Sequence, residues 1–209
     1  MVMRVYERAL QSTMLDDVIV ATDDERIYQE VKSHGGKVVV TSTTHRNGTE
    51  RCAEVSATLE TDYIINIQGD EPYIDPRQID LLAELLDGKT DIGTLIKPLT
   101  DQQQIENPSI VKVVKNLKNE ALYFSRSPIP YHRASDTIYY KHIGIYAYRK
   151  DILQQIVLLN PTPLELSESL EQLRWLENGY RIRLEETDLE TISIDTPEDL
   201  NRLNELSHA

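Results

Sequence analysis

Only one cysteine, Cys52, occurs in the 209 residues, so no internal disulfide can form. A catalytic thiol also needs a histidine partner, at a position the sequence does not suggest. Cys52 therefore reads as a small buried apolar residue. Long apolar runs are missing as well: nothing approaches the length that spans a bilayer, and the first residues lack a signal peptide's basic start and apolar stretch. The expectation is a cytoplasmic protein with no membrane partner. Positive charge is scarce. Lys and Arg total 22 against 35 Asp and Glu, giving a net charge of -13 and a pI near 4.8. That balance disfavours nucleic acid and anionic lipid as partners, because both are held through basic surface. It does not exclude an anionic nucleotide, provided a divalent cation or a local basic group supplies the positive charge. Repeats, low-complexity tracts and flexible linkers are absent, and the spacing of His45 to Arg51 fits neither a P-loop nor a dinucleotide fingerprint.

What is present alternates. Strands are predicted at 17–22, 37–41, 63–67, 92–97, 111–115, 142–148, 180–185 and 190–194, with helices at about 3–10, 25–32, 49–59, from 76, 167–178 and after Thr196. Asp75, Pro76 and Gln78 have the spacing of a helix start. Thr22 and Glu25 have it too, with Thr22 as the cap. Alternation of this kind predicts βαβ units and an α/β fold with a mixed, mainly parallel sheet flanked by helices. The chain is long enough for one core, so residues 1–209 are expected to form a single domain. Residues 111–148 break the rhythm and are expected to form an antiparallel insertion.

Tyr63 to Pro72, Tyr-Ile-Ile-Asn-Ile-Gln-Gly-Asp-Glu-Pro, carries an apolar strand directly into Asp70 and Glu71. Ligands of open α/β sheets sit beyond the carboxyl ends of strands, where these acids would project. Gly69 is expected to permit a sharp turn there. Acids follow two other strands, Asp23 and Asp195. Asp70 and Asp195 are paired as the candidate Mg²⁺ ligands, since Mg²⁺ prefers hard oxygens and fills its shell with water and phosphates. Asp195, just before Thr-Pro-Glu-Asp, is also a favourable helix-start residue, and for Asp23 that reading is preferred. His45 to Arg51 opens a helix whose backbone N–H groups suit a phosphate or a base edge, although Thr49 alone suffices as a cap. Arg126 in Tyr123-Phe-Ser-Arg-Ser-Pro-Ile-Pro130 offers a planar fork for a carboxylate, or belongs to a rigid surface edge. His142 is read as a half-buried core histidine or a ligand. Glu168, Glu171 and Arg174 have the spacing of a solvated helix face.

Together these segments resemble the 3-deoxy-manno-octulosonate cytidylyltransferases, or CMP-Kdo synthetases. The matches are Val20-Ala-Thr-Asp23, Gly48-Thr-Glu-Arg51, Asn66-Ile-Gln-Gly-Asp-Glu-Pro72, Asn107-Pro108 with Val111-Lys-Val-Val114, and Tyr123-Phe-Ser-Arg126 with Ile129-Pro130. His142-Ile-Gly-Ile-Tyr146, Glu171-Gln-Leu-Arg174 and Asp195-Thr-Pro-Glu-Asp-Leu200 follow in the family's order. The resemblance implies transfer of CMP from CTP to the sugar acid Kdo, with pyrophosphate released and the product used for lipopolysaccharide. It places Mg²⁺ on Asp70 and Asp195, which are thereby the catalytic pair. Asn47, Gly48, Thr49, Arg51 and Gln68 are placed near CTP, and Arg126, His142, Tyr146, Glu171 and Gln172 near the sugar acid. It also implies a nucleotide-diphospho-sugar transferase-like fold and a homodimer formed through the antiparallel region.

The family begins with a strand and a glycine-containing basic loop that wraps the triphosphate. Here Met1 to Ala9 aligns with the helix after that loop. For these 209 residues taken alone, the expectation is an N-terminally incomplete domain with a strand missing from its sheet, weak CTP binding and little turnover. Competing readings are a cytidylyltransferase for another sugar acid such as a sialic acid, a metal-dependent glycosyltransferase, and a noncatalytic nucleotide- or sugar-acid-binding protein.

Overall fold

The computed structural model describes residues 1–133 and 137–190. In chain order the elements are α1 (Val2–Ala9), β1 (Val20–Thr22), α2 (Glu25–Ser33), β2 (Val38–Val40), α3 (Gly48–Ala57), β3 (Tyr63–Asn66), α4 (Pro76–Glu84) and β4 (Ile92–Leu99). They continue with α5 (Gln102–Glu106), β5 (Lys112–Lys115), β6 (Ala121–Ser125), β7 (Tyr139–Arg149), α6 (Lys150–Ile156), α7 (Pro163–Glu168), α8 (Glu171–Glu177) and β8 (Ile182–Glu186). Of the strand expected at 190–194, Glu190 is described and lies in no strand; residues 191–194, Asp195 and the helix expected after Thr196 lie outside the described residues.

Local chemistry sets several boundaries. Asp75 and Gln78 close a reciprocal capping box around the start of α4, with Pro76 in its first turn. The cap of α2 is Asp24 and not Thr22: the Asp24 carboxylate accepts from Arg26 N–H at 2.8 Å. Thr22 instead ends β1, buried, and its hydroxyl accepts from Asp24 N–H at 3.1 Å. Asp23, expected at the helix start, is turned onto Arg51 at 2.8 Å. The helix expected over 167–178 is two helices. Ser169 takes a left-handed φ of 53° and ends α7, and α8 restarts at Glu171.

The architecture is mixed α/β. β1 and β2 pair in parallel as a separate two-stranded sheet. The larger sheet runs β6-β5-β7-β4-β8, with β3 also paired to β7. There β4 and β8 are parallel, while β7 runs antiparallel to β3, β4 and β5, and β5 to β6. Helices cover both faces. Ile92, Ile96, Tyr146 and Tyr148 point into one core with Leu153 of α6 and Leu173 and Trp175 of α8. Leu95, Ile143, Ile145 and Ala147 point into the other, with Ile79 and Leu82 of α4 and Ala9 of α1.

One irregularity positions the site. Along one edge β7 pairs with β3 only as far as Tyr146 opposite Asn66, and with β5 only from Lys141 opposite Lys112. Between these points the edge forks. On the other edge the pairing with β4 slips: Thr94 faces Tyr146 but Leu95 faces Ile143, so β7 carries two extra residues, Gly144 and Ile145. Fork and bulge fall at the same place on β7. The turn leaving β3, with Gln68, Gly69 and Asp70, runs toward that opening.

Candidate active site

The N-terminus of α3 and that of α8 meet over one carboxylate. Asn47 caps α3, its Oδ1 accepting from Glu50 N–H at 3.0 Å, and its Nδ2 donates to Glu171 Oε1 at 2.9 Å. Thr49 Oγ1 donates to Glu171 Oε2 at 2.7 Å, and Arg174 Nη2 reaches Glu171 Oε1 at 3.1 Å. Burial nevertheless raises the Glu171 pKa, against the pull of Thr49, Arg174 and Asn47. The reading of this segment as a solvated helix face is therefore corrected: Gln172, Leu173, Arg174 and Trp175 are all buried. Arg174 also pairs with Glu165 at 2.8 Å, so its charge is met inside the fold.

Gly48 lies against Gln68. A Cβ on Gly48 would stand 3.3 Å from both Nε2 and Oε1 of the Gln68 amide, a tight contact that the amide would have to relieve by a few tenths of an ångström. Gly69 is different. It lies in the tight turn expected there, closed by the Glu71 N–H donating to the Gln68 carbonyl at 3.3 Å, but it is exposed, has no left-handed φ, and an added Cβ meets nothing within 4 Å, so the turn does not depend on glycine. Asp70 is half-buried in the turn after β3, and Glu71 beside it is buried. Arg51 braces strand ends: Nη2 meets Asp23, and Nη1 donates to Thr41 Oγ1 at 2.9 Å and to the Ser42 carbonyl at 3.1 Å.

His142 stands at the fork. Its ring packs edge-on to Phe124 and tilted against Tyr146, both at 5.2 Å, and Nε2 lies 3.0 Å from Thr94 Oγ1. Desolvation in this aromatic setting lowers its pKa to about 3, so the imidazole is neutral at pH 7. Tyr146 continues the wall to Trp175, edge-on at 5.1 Å. The Tyr146 hydroxyl and the Trp175 indole N–H are both buried and have no hydrogen-bond partner among the described residues. Buried donors left in this way are costly unless a water or ligand meets them.

Arg126 is anchored through its backbone and one part of its guanidinium. Its backbone N–H donates to Glu168 Oε2 at 2.9 Å, Nε to the Glu168 carbonyl at 2.8 Å, and Nη1 to the Pro108 carbonyl at 3.1 Å. Its own carbonyl accepts from Lys112 Nζ at 2.5 Å. Lys112 is fully buried and also donates to the carbonyls of Asn107 and Ile110, at 2.9 and 2.7 Å, so the ammonium spends its three hydrogens on backbone. Two of the five side-chain N–H donors of Arg126 are used by the described residues, on the Glu168 and Pro108 carbonyls.

The structure thus joins Asn47 and Thr49 to Glu171, Gly48 to Gln68, and His142 to Tyr146. Arg126 sits with Glu168 and Lys112, and Asp70 in the turn that follows β3; Asp195 lies outside the described residues. Sequence reasoning missed Thr94, Lys112 and Trp175, and read Glu168 only as a helix face. Cys52 packs against the core, with its thiol pushed up to about 12 by burial, and is inert as a nucleophile at neutral pH. No three His, Cys, Asp or Glu among the described residues form a metal cage. Asp70, half-buried in the turn after β3, offers hard carboxylate oxygens, a donor type that fits Mg²⁺, which needs only one or two carboxylates when phosphates complete its shell.

A family profile described as cytidylyltransferase matches residues 1–187. The 3-deoxy-manno-octulosonate cytidylyltransferase of Cytophaga hutchinsonii is 48% identical over 99% of this chain and 87% of its own length. That of Bacteroides thetaiotaomicron is 49% identical over 98% of this chain and 86% of its own. The solved structure of CMP:2-keto-3-deoxy-manno-octonic acid synthetase complexed with CTP superposes with a TM-score of 0.94 and 44% identity, covering 99% of this chain and 87% of that one. A 4-diphosphocytidyl-2C-methyl-D-erythritol synthase from Anaerococcus prevotii shares the fold at 14% identity, with a TM-score of 0.66 over 100% of this chain and 86% of that one. This chain belongs to the cytidylyltransferase family of nucleotidyltransferases, within its 3-deoxy-manno-octulosonate branch.

Proposed function

We propose that this protein transfers CMP from CTP to the anomeric hydroxyl of Kdo, releasing pyrophosphate, in an Mg²⁺-dependent reaction that feeds lipopolysaccharide assembly. The observation that carries the reading is the closure of Glu171 onto Asn47 and Thr49, directly beside the His142–Tyr146 wall. It brings the segment assigned to the nucleotide against the segment assigned to the sugar acid, as a transfer between them requires. The relatives named for this reaction and the synthetase solved with CTP support it.

In this reading Gln68 and the start of α3 meet the cytidine, with backbone N–H groups and the Asn47 cap fixing its edge. Arg126 takes the carboxylate of the sugar acid through the part of its fork that Glu168 and Pro108 leave open. The unpartnered Tyr146 hydroxyl and neutral His142 meet sugar hydroxyls, and Glu171 and buried Gln172 close the pocket from α8. Asp70 and Asp195 are the residues that hold Mg²⁺, which when bound neutralises triphosphate charge. The protein acts as a homodimer through 111–148, where Leu122, Tyr131 and Ile138 are 60%, 86% and 59% exposed. Sedimentation of the full chain as a monomer at micromolar concentration would remove the dimer from this proposal.

Pyrophosphate release from CTP with Kdo and Mg²⁺ tests the reaction. Release with a sialic acid and none with Kdo would overturn the sugar assignment. CTP binding by calorimetry without turnover on any acid would overturn the catalytic one.

A further inference from the structure

The bulge in β7 fixes more than strand register. With two extra residues in β7, the carbonyls of Ile143 and Ile145 both turn toward the Thr94 hydroxyl, at 3.0 and 2.7 Å, and Thr94 is fully buried. His142 Nε2 completes its surroundings at 3.0 Å. A hydroxyl has one proton and three neighbours compete for it. Two of them, the carbonyl oxygens, carry no hydrogen. If Thr94 donated to His142, its oxygen would face both carbonyl oxygens at 2.7 and 3.0 Å with no proton in either gap, an uncompensated repulsion in a buried site. The proton therefore goes to a carbonyl, and the lone pair of Thr94 faces His142. Nε2 must carry a hydrogen to meet it.

We propose that Thr94 is a positioning residue that locks His142 in the tautomer protonated at Nε2, so that Nδ1 is presented as a hydrogen-bond acceptor for a hydroxyl of the bound sugar. No described residue donates to or accepts from Nδ1, and His142 is partly open at the fork. The depressed basicity of the buried ring fits the same picture, since a doubly protonated imidazole would offer no acceptor. The substrate half of this inference rests on the assignment of His142 to the sugar pocket; the tautomer half does not.

The two halves separate experimentally. Proton-detected nitrogen NMR of the full chain labelled at histidine, with His142 identified by its loss in H142F, reads the tautomer without substrate. The expected result is a neutral ring protonated at Nε2 in the wild type, unchanged in T94S and released from that single form in T94V. A wild-type ring protonated at Nδ1 overturns the proposal, and since it needs no variant it holds even if T94V does not fold. Steady-state kinetics then test the substrate half. T94V is expected to raise the KM for Kdo about three- to tenfold, the worth of one hydrogen bond, with the KM for CTP unmoved and T94S near wild type. An unmoved KM for Kdo in T94V, with H142F impaired, overturns the coupling between Thr94 and the substrate. An unmoved KM in both variants overturns the pocket assignment while leaving the tautomer lock in place.

Discussion

Acidification should destabilise this protein through His142 by an amount that follows from its surroundings. In the unfolded chain the imidazole titrates near 6.5, whereas in the fold it stays neutral down to about 3. The unfolded state therefore binds the proton first, and the native state loses stability as pH falls from 6.5 toward 3. At pH 7 the loss is about 0.2 kcal/mol, and at pH 5 about 2 kcal/mol, from the ratio of the two binding polynomials. Other groups titrate in the same window. Glu171, raised by burial, works in the opposite direction, so the useful quantity is the difference between wild type and H142F. Phenylalanine suits the site, since Phe124 and Tyr146 already flank the ring at 5.2 Å, and Thr94 can keep its bond to a carbonyl. Urea unfolding at pH 7 and pH 5 measures the difference. H142F should lose about 2 kcal/mol less than wild type over that interval. Equal losses, within about 0.5 kcal/mol, would refute the claim that the native ring resists protonation.

Three further outcomes are expected. D70N, with the fold retained, should lower Mg²⁺-dependent turnover by about two orders of magnitude, and unchanged turnover in a pyrophosphate assay removes Asp70 from the metal site. G48A places a Cβ 3.3 Å from the Gln68 amide, so calorimetry should show CTP binding weakened about three- to tenfold with little change in Tm; equal affinity would separate Gln68 from the nucleotide. K112M strips three backbone carbonyls of their donor at a fully buried position, and should cost about 3 kcal/mol, a Tm lower by roughly 6–12 °C in a calorimetric scan. A Tm equal to wild type would show that the buried ammonium offsets no more than its own desolvation.

What the sequence made legible was local. Asp75, Pro76 and Gln78 specify the start of α4 through contacts three residues apart, and the structure shows that box. Apolar alternation located β4 and β7 in the same way. Contacts between distant segments were not legible. Thr94 gains its role from carbonyls 49 and 51 residues away, and only because of a two-residue bulge that periodicity cannot encode. Glu171 and Arg174 have the spacing of an exposed ion pair, yet α8 lies down on the sheet and buries Arg174 against Glu165. The neighbouring Leu173 and Trp175 were the available signal for that. Ser169 read as helix interior because nothing in its side chain announces a left-handed backbone. Asn47, Gly48, Gln68 and Tyr146 entered the candidate site through the family resemblance, since their residue types alone fit a cap, a turn and a core.

β7 has a kinetic consequence for the whole molecule. It carries His142 and Tyr146 and is hydrogen-bonded to β3, β4 and β5, so the aromatic wall is built on the strand with the most partners in the sheet among the described residues. The amides of such a strand exchange with solvent only when the sheet itself comes apart. The wall therefore has no opening motion separate from that of the sheet. Loss of catalytic geometry on heating should therefore coincide with loss of the fold, with no inactive yet folded state between them.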